Sequence, residues 1–347
     1  MSKITIVDVA RLSGVGVSTV SRVINGHLDV SAKTREKVLS VIKETGYVPN
    51  DSARNLKRTD AKCIGVVIKG ITNPFFTPMI DILEKEIDRQ NYALVLRHAG
   101  AEEDEADVAL ELENEKRLRG IIFLGGGTEQ SRQKLRELKI PAVFSTIGAT
   151  LLDENTTAEY STVSVDDRIE ARHITQYLMN LGHTNIAIIT EAMGRRSVGH
   201  LRLEGYRDAF VMRKIPVDEG NIFYVDQTME HFSVENGYRT TQRIIESGKD
   251  ISAIFCVTDL LAIGAMRAIA DAGLRVPEDI SVCGFDGMEI GRYSNPRLTT
   301  ISQPLDQISR ETVKLLFDII ESRSSHRHIV FPGELIIGES TIKHFVE

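Results

Sequence analysis

Only three of the 347 residues are cysteine. Cys63, Cys256 and Cys283 lie far apart, match no metal-ligand spacing and each sit in an apolar run, so they read as buried thiols in a reducing compartment, without a disulfide framework or a zinc site. No basic start leads into a long apolar stretch, and no apolar run reaches the roughly eighteen residues a membrane helix needs. Neither export nor membrane insertion is expected, which places the chain in the cytoplasm. Nucleotide fingerprints are missing too: Gly125-Gly126-Gly127 has neither the GxGxxG pattern nor a Walker lysine and reads as a flexible turn. The acidic segment Glu102 to Glu115 lacks the loop glycine of a calcium hand, and its interleaved Ala106, Val108, Leu110 and Leu112 make it a helix with a solvated acidic face. No activated nucleophile, acid/base pair or metal cluster marks an enzyme, and no cofactor is expected.

What is present is unevenly distributed. The net charge is -7, yet residues 1–60 hold ten Lys/Arg against six Asp/Glu, leaving 32 basic and 43 acidic residues in the rest. A basic head on an acidic body can rest on a polyanion while the body stays away from it. The length exceeds what one core supports, and the 42% hydrophobic content is ample for two or three.

The head begins at Thr5 to Asn25, which reads as two short helices with a tight turn at Ser13-Gly14. Thr5 can cap the first helix, with Asp8 completing a near relative of the capping box. The second starts near Val17 and turns Val20 and Val23 inward, leaving Val17, Ser18, Thr19 and Arg22 on its free face. That is helix-turn-helix geometry, in which the second helix offers its first turn to the major groove. A helical hairpin without a ligand has the same periodicity; the chemistry of the free face separates the two readings. Ser18, Thr19 and Ser21 can donate to phosphates, and Arg22 reaches guanine or phosphate. A third helix is expected over Asp29 to Glu44, capped by Ser31 and ended at Gly46. Residues 1–46 thus form a DNA-binding domain and 47–61 a hinge and linker, in which Ser52 to Lys57 make a helix too short to stand alone.

From Lys62 onward short apolar runs near 63–68, 93–96, 120–124 and 142–144 alternate with helices near 78–90, 104–117 and 130–138. A second series follows, with strands near 186–189, 222–225, 254–257 and 280–285 and helices near 167–180, 200–213, 233–247 and 260–272. Buried parallel strands with covering helices give this signature, and two doubly wound lobes over 62–347 fit it best. Ligands of such sheets bind beyond the strands' carboxyl ends, in the cleft between lobes. Asn73, Asp166, Asp167, Asp259 and Asp286 stand there; helix capping is the competing role for Asn73, Asp166 and Asp259.

The whole chain resembles the lactose and galactose repressor family of bacterial transcription regulators. The matching stretches include Ile6-Val7-Asp8-Val9-Ala10, Thr19-Val20-Ser21-Arg22-Val23, Tyr47-Val48-Pro49-Asn50, Ala53-Arg54-Asn55-Leu56, Asn73-Pro74-Phe75-Phe76, Arg202-Leu203-Glu204-Gly205-Tyr206 and Gly284-Phe285-Asp286. The resemblance implies a homodimer on a near-palindromic double-stranded operator, with Val17, Ser18 and Arg22 in the major groove and Ala53 and Leu56 in the central minor groove, Leu56 as the wedge. Thr5, Thr19, Ser21, Asn25, Tyr47, Asn50 and Arg54 complete the DNA-facing set. It further implies a body like a periplasmic sugar-binding protein, holding a small effector (a sugar, sugar derivative or nucleoside-like metabolite) by Arg202 and Asp286, with Asn73, Phe75, Val163 and Asp259 at or near the pocket. Three features depart from the pattern. Gly16 stands where a serine usually caps the recognition helix, and Ser145-Thr146 stand where sugar-responsive members often carry aspartate, which points away from a plain hexose. Residues 148–159 look like an insertion beside the cleft. Gly338 to Glu347 has no leucine heptads to support a tail-mediated tetramer.

Overall fold

A computed structural model describes residues 4–24, 30–45, 47, 62–100, 103–126, 132–151, 160–191 and 197–345. The chain divides into two compact units, Met1–Ala61 and Lys62–Glu347.

In the first unit, α1 (Ile6–Ser13), α2 (Val17–Ile24) and α3 (Ala32–Thr45) close around Val9, Val20, Val23 and Val38. Thr5 and Asp8 form a full capping box, and α1 stops because Gly14 takes a φ of 65°, the left-handed conformation that a glycine enters without a Cβ clash. The Thr34 N–H donates to Ser31 Oγ at 3.3 Å, so Ser31 caps α3 as its sequence suggests. With no side chain at Gly16, the start of α2 is held by the Gly16 carbonyl, which accepts from Thr19 and Val20 at 2.9 and 3.1 Å.

Among the described residues the second unit contains two six-stranded sheets. Its elements in order are β1 (Cys63–Lys69), α4 (Thr77–Arg89), β2 (Ala93–Ala99), α5 (Glu105–Glu115), β3 (Leu118–Leu124), α6 (Arg132–Leu135), β4 (Ala142–Ser145), β5 (Ser161–Val165), α7 (Asp167–Asn180), β6 (Ile186–Thr190), α8 (Val198–Met212), β7 (Ile222–Tyr224), α9 (Val234–Glu246), β8 (Ala253–Cys256), α10 (Asp259–Asp271), β9 (Ser281–Asp286), α11 (Glu289–Tyr293), β10 (Thr299–Ser302), α12 (Leu305–Ile320), β11 (His328–Phe331) and β12 (Glu334–Ile336). The sheets run β11-β5-β4-β3-β1-β2 and β12-β10-β9-β8-β6-β7, parallel throughout except for the β10 and β12 pair. The same winding order thus occurs twice, with β1 to β5 in the first lobe answering β6 to β10 in the second.

The chain passes between lobes three times, at 165–167, 302–305 and 331–334. All three passages lie at the β5 and β10 side of the sheets, so that side is the hinge and the β2 and β7 side is the mouth. The backbone N–H of Gly333 in the third passage donates to Glu170 Oε1 at 3.0 Å, and Glu170 Oε2 meets His173 Nδ1 at 3.0 Å. In the second lobe α9 and α10 approach at two glycines: a Cβ at Gly264 would lie 2.0 Å from the Val234 carbonyl, and one at Gly237 would lie 2.2 Å from that of Leu261.

Several expectations change. Of the expected helix 130–138, residues 130 and 131 lie outside the described residues and α6 covers Arg132–Leu135 of the remainder, and β10 to β12 and α12 extend the series beyond its expected end. Cys256 and Cys283 are buried as expected, but Cys63 at the start of β1 is only half-buried.

Candidate functional site

The free face of α2 carries Val17, Ser18 and Arg22 exposed and Thr19 and Ser21 half-buried, while Val20 and Val23 are buried. Thr5 is exposed at the start of α1 with its hydroxyl engaged by Asp8, at 2.7 Å. Tyr47 packs against the small core. Asn25, Asn50, Ala53, Arg54 and Leu56 lie outside the described residues, as does most of 148–159.

In the body a cavity of about 550 Å³ runs along the carboxyl ends of both sheets, a volume within the range of about 300 to 1,000 Å³ usual for small-molecule sites. Asn73, Phe75, Arg202 and Asp286 line it together. Arg202, on the first turns of α8, is almost fully buried. Its Nε donates to Asp167 Oδ1 at 2.8 Å, and Nη1 donates to the Val257 carbonyl at 2.6 Å and to Asp286 Oδ1 at 3.2 Å. The guanidinium carbon lies 3.7 Å from the centre of the Phe285 ring, so the fork is fixed in plane as well as at its ends. Asp286 adopts a φ of 117°, a conformation that L side chains rarely occupy, and it is held there by Gln303, whose Nε2 donates to Oδ1 at 3.0 Å and whose backbone N–H donates to the Asp286 carbonyl at 3.2 Å.

Burial works against the charge of Arg202, yet Asp167 and Asp286 outweigh it and hold the guanidinium above its ordinary pKa. The carboxyls fare worse, because one guanidinium serves two of them. Burial pushes Asp286 up to about 6 despite Arg202, and burial likewise raises Asp167. Asp167 Oδ2 and Gln303 Oε1 are buried without a hydrogen-bond partner among the described residues. Gln303 as a residue lines the cavity.

Two expected pocket residues do not reach the cavity. Val163 is fully buried in β5, with its side chain in the apolar core. Asp259 is also fully buried: Thr300 Oγ1 donates to its Oδ1 at 2.6 Å, and the Met288 N–H donates to its Oδ2 at 2.6 Å. It braces the turn after Asp286 from behind; burial and the nearby Asp286 charge raise its pKa well above the ordinary carboxyl value. Capping is real for Asn73, which accepts from the Phe75 N–H at 3.0 Å, and for Asp166, which accepts from Ile169 at 3.0 Å. Thr258, not Asp259, caps α10.

The cavity also takes residues that sequence reasoning passed over. Lys69, Glu191 and Thr258 follow or end strands, and a strict search past every strand end would have found them; Thr146, already marked with Ser145 as a departure from the family pattern, lines the cavity too. Glu105 sits in the acidic helix expected to face solvent; instead it is only 8% exposed and faces Lys69 Nζ at 3.6 Å. A Cβ at Gly126 would fall 2.1 Å from Glu105 Oε1, so this glycine makes room for the carboxyl.

A helix-turn-helix unit in one chain with a two-lobed, hinged body that encloses a polar cavity defines a ligand-responsive DNA-binding regulator. Residues 5–50 match the family model of bacterial regulatory proteins, lacI family, and residues 175–341 match that of a periplasmic binding protein-like domain. The chain is 37% identical over 340 residues to the HTH-type transcriptional regulator MalR of Clostridium butyricum, covering 96% of this chain and 98% of that protein. It is 32% identical over 342 residues to the HTH-type transcriptional repressor PurR of Vibrio atlanticus, covering 98% of each. Among solved structures it resembles a transcriptional regulator CelR-cellobiose complex, with a TM-score of 0.72 and 30% identity over 97% of this chain and 99% of that one. It also resembles the lac repressor dimer bound to operator and the anti-inducer ONPF, with a TM-score of 0.76 and 26% identity over 98% of this chain and 100% of that one. The chain belongs to the LacI family of bacterial transcriptional regulators. It is an operator-binding repressor under small-molecule control and not an enzyme.

Proposed function

We propose that this protein binds a near-palindromic operator as a homodimer, with Val17, Ser18 and Arg22 reading the major groove, and that a small hydroxylated metabolite bound between the lobes sets its DNA affinity. The observation that carries the effector half is the buried Arg202 cluster. Arg202 and Asp286 line the cavity, and their partners Asp167 and Gln303 belong to the first two passages between lobes. A ligand that engages this pair therefore perturbs bonds made to the hinge itself, which supplies a route from occupancy to the angle between lobes. The cellobiose of the CelR complex and the ribose bound to a LacI family regulator from Enterococcus faecium favour a sugar-like effector. Thermal-shift screening of sugars, sugar derivatives and nucleosides tests this reading. A ligand that stabilises the wild type is expected to lose its effect on Asp286→Ala; equal stabilisation of both proteins moves the site elsewhere.

A further inference from the structure

The chain enters the body at Lys62, one residue ahead of β1, and that entry is fastened to the fold. At the end of α4 Asn91 takes a φ of 59°, the left-handed conformation that asparagine tolerates better than most residues. The next N–H, that of Tyr92, donates back to the Ile87 carbonyl at 3.2 Å, and this turn sets Tyr92 directly before β2. The Ala93 N–H donates to the Lys62 carbonyl at 2.9 Å, so the pairing of β1 with β2 begins at the entry residue. Lys62 is exposed, yet its side chain folds back over the same turn: Nζ lies 5.4 Å from the centre of the Tyr92 ring, within the range of a cation–π contact. Tyr92 is half-buried, and its ring also meets that of Phe317 edge-on, at 4.8 Å and 76°. Phe317 is buried near the end of α12, which is seated against the first sheet. A Cβ at Gly120 of β3 would lie 2.9 Å from Leu316 Cδ1, and Thr312 Oγ1 meets Ser145 Oγ of β4 at 3.0 Å. Lys62, Tyr92 and Phe317 thus form a stack that runs from an exposed cation into the core of the first lobe.

We propose that Tyr92 is a positioning residue for operator binding: with Phe317 behind it and the Lys62 ammonium on its ring, it fixes the point at which the linker leaves the body. In the homodimer proposed above each linker starts at its own Lys62, and two heads must meet two half-sites at a set spacing. A Lys62 free to swing spreads the linker starts over more positions, and apparent operator affinity falls with the fraction of molecules whose heads stand at the right separation. Because the ring is packed on α12, the helix that follows the second passage between lobes, the linker start moves as part of the first lobe. This role concerns the DNA side and holds whichever ligand fills the cleft.

An operator selected by the full wild-type chain from a random duplex pool, and a scrambled duplex of equal length, are titrated with each variant by fluorescence anisotropy at several salt concentrations. Lys62→Gln and Tyr92→Leu are each expected to weaken operator binding about threefold or more, while Lys62→Arg and Tyr92→Phe, which keep a cation over a ring, stay within about twofold of the wild type. The double variant Lys62→Gln/Tyr92→Leu should bind at most about twofold more weakly than the weaker single variant, since both substitutions remove one contact. Affinity for the scrambled duplex should change by less than about twofold, and the slope of log affinity against log salt should match the wild type. Urea midpoints separate a weakened anchor from a weakened fold; if Tyr92→Leu does not fold, Lys62→Gln, at an exposed position, decides the matter alone. The anchor is overturned if Lys62→Gln stays within about twofold of the wild type, or if the two single losses multiply. It is also overturned if losing the lysine weakens both duplexes alike and lowers the salt slope by about 0.9, the mark of a phosphate contact. A selected operator without two half-sites removes the homodimer on which the spacing role depends, and the anchor with it; a two-half-site operator bound equally by every variant removes the anchor alone.

Discussion

Arg202 shows how a single side chain can be both structure and site. It is buried with two carboxyls and a carbonyl on its fork. Removing it as Arg202→Ala leaves Asp167 and Asp286 without their cation, which is expected to destabilise the body by about 3 to 5 kcal/mol in denaturant unfolding. Arg202→Lys should recover only part of this, because an ammonium cannot reproduce a planar fork stacked on Phe285. Full recovery by lysine would show that charge alone matters. Asp286 adds a pH dependence. Its folded pKa of about 6 lies above the unfolded value of about 3.9, so the folded chain binds more protons between those limits. The contribution of Asp286 is therefore greatest below about pH 4 and is lost as pH rises through about 6, with a slope of at most about 1.4 kcal/mol per unit. Asp286→Asn should remove that slope from a Tm series over this window; a constant difference between variant and wild type at every pH would contradict the assignment. Asp286 was legible because motif and strand end coincide there, whereas Arg202, inside α8, was legible through the family motif alone. Asp259 does not line the cavity, since a strand end locates a residue near a cleft without saying which way its side chain points; Val163, named through the resemblance alone, lies within β5 with its side chain in the core. Glu105 was hidden by charge: seven further acids around it in Glu102 to Glu115 made solvation the natural reading.

At the scale of elements, the capping box and the glycine contacts are the exposed dependencies. Thr5→Ala removes the cap of α1 and is expected to cost the first unit about 0.5 to 2 kcal/mol; an unchanged Tm of that unit by calorimetry would mean the box contributes nothing. Gly264→Ala drives a methyl into the Val234 carbonyl, a backbone group that cannot rotate away. Overpacking of this kind costs about 1 to 3 kcal/mol or more, read as a lowered urea midpoint of the body. Most strands and helices were legible, because continuous aliphatic runs separated by amphipathic ones have little other use. The series was lost at β10, whose Thr-Thr-Ile-Ser contains one aliphatic residue. That strand is buried through its hydroxyls: Thr300 Oγ1 donates to Asp259, and Thr299 Oγ1 meets Thr341 Oγ1 at 3.0 Å. Without β10 the strand and helix alternation breaks, and α12 behind it goes unrecognised despite the inward-facing Ile308, Val313, Leu315 and Leu316. Strand order, too, is set by contacts distant in sequence, and no local pattern encodes it.

For the whole molecule, each passage between lobes is tied to a polar group: Asp167 to Arg202, Gln303 to Asp286, and Gly333 to Glu170. Two of these ties run through residues that line the cavity, so ligand binding and lobe angle share bonds. The free energy by which a ligand alters operator affinity must then reappear, undiminished, as the effect of operator on ligand affinity. On the DNA side, Arg22→Ala should remove about 1 to 3 kcal/mol of base discrimination per half-site while leaving the fold intact; unchanged protection of the same operator would exclude Arg22 from readout. The most direct test of the account takes an operator selected by the full chain from a random duplex pool and titrates it, by fluorescence anisotropy at fixed salt, with and without the most strongly stabilising compound of the thermal-shift screen. Operator affinity is expected to change at least fivefold, with the same factor recovered when ligand affinity is measured with and without operator, and with no change for Asp286→Ala. An operator affinity that stays the same at saturating ligand would contradict the claim that the cleft controls the DNA-binding head.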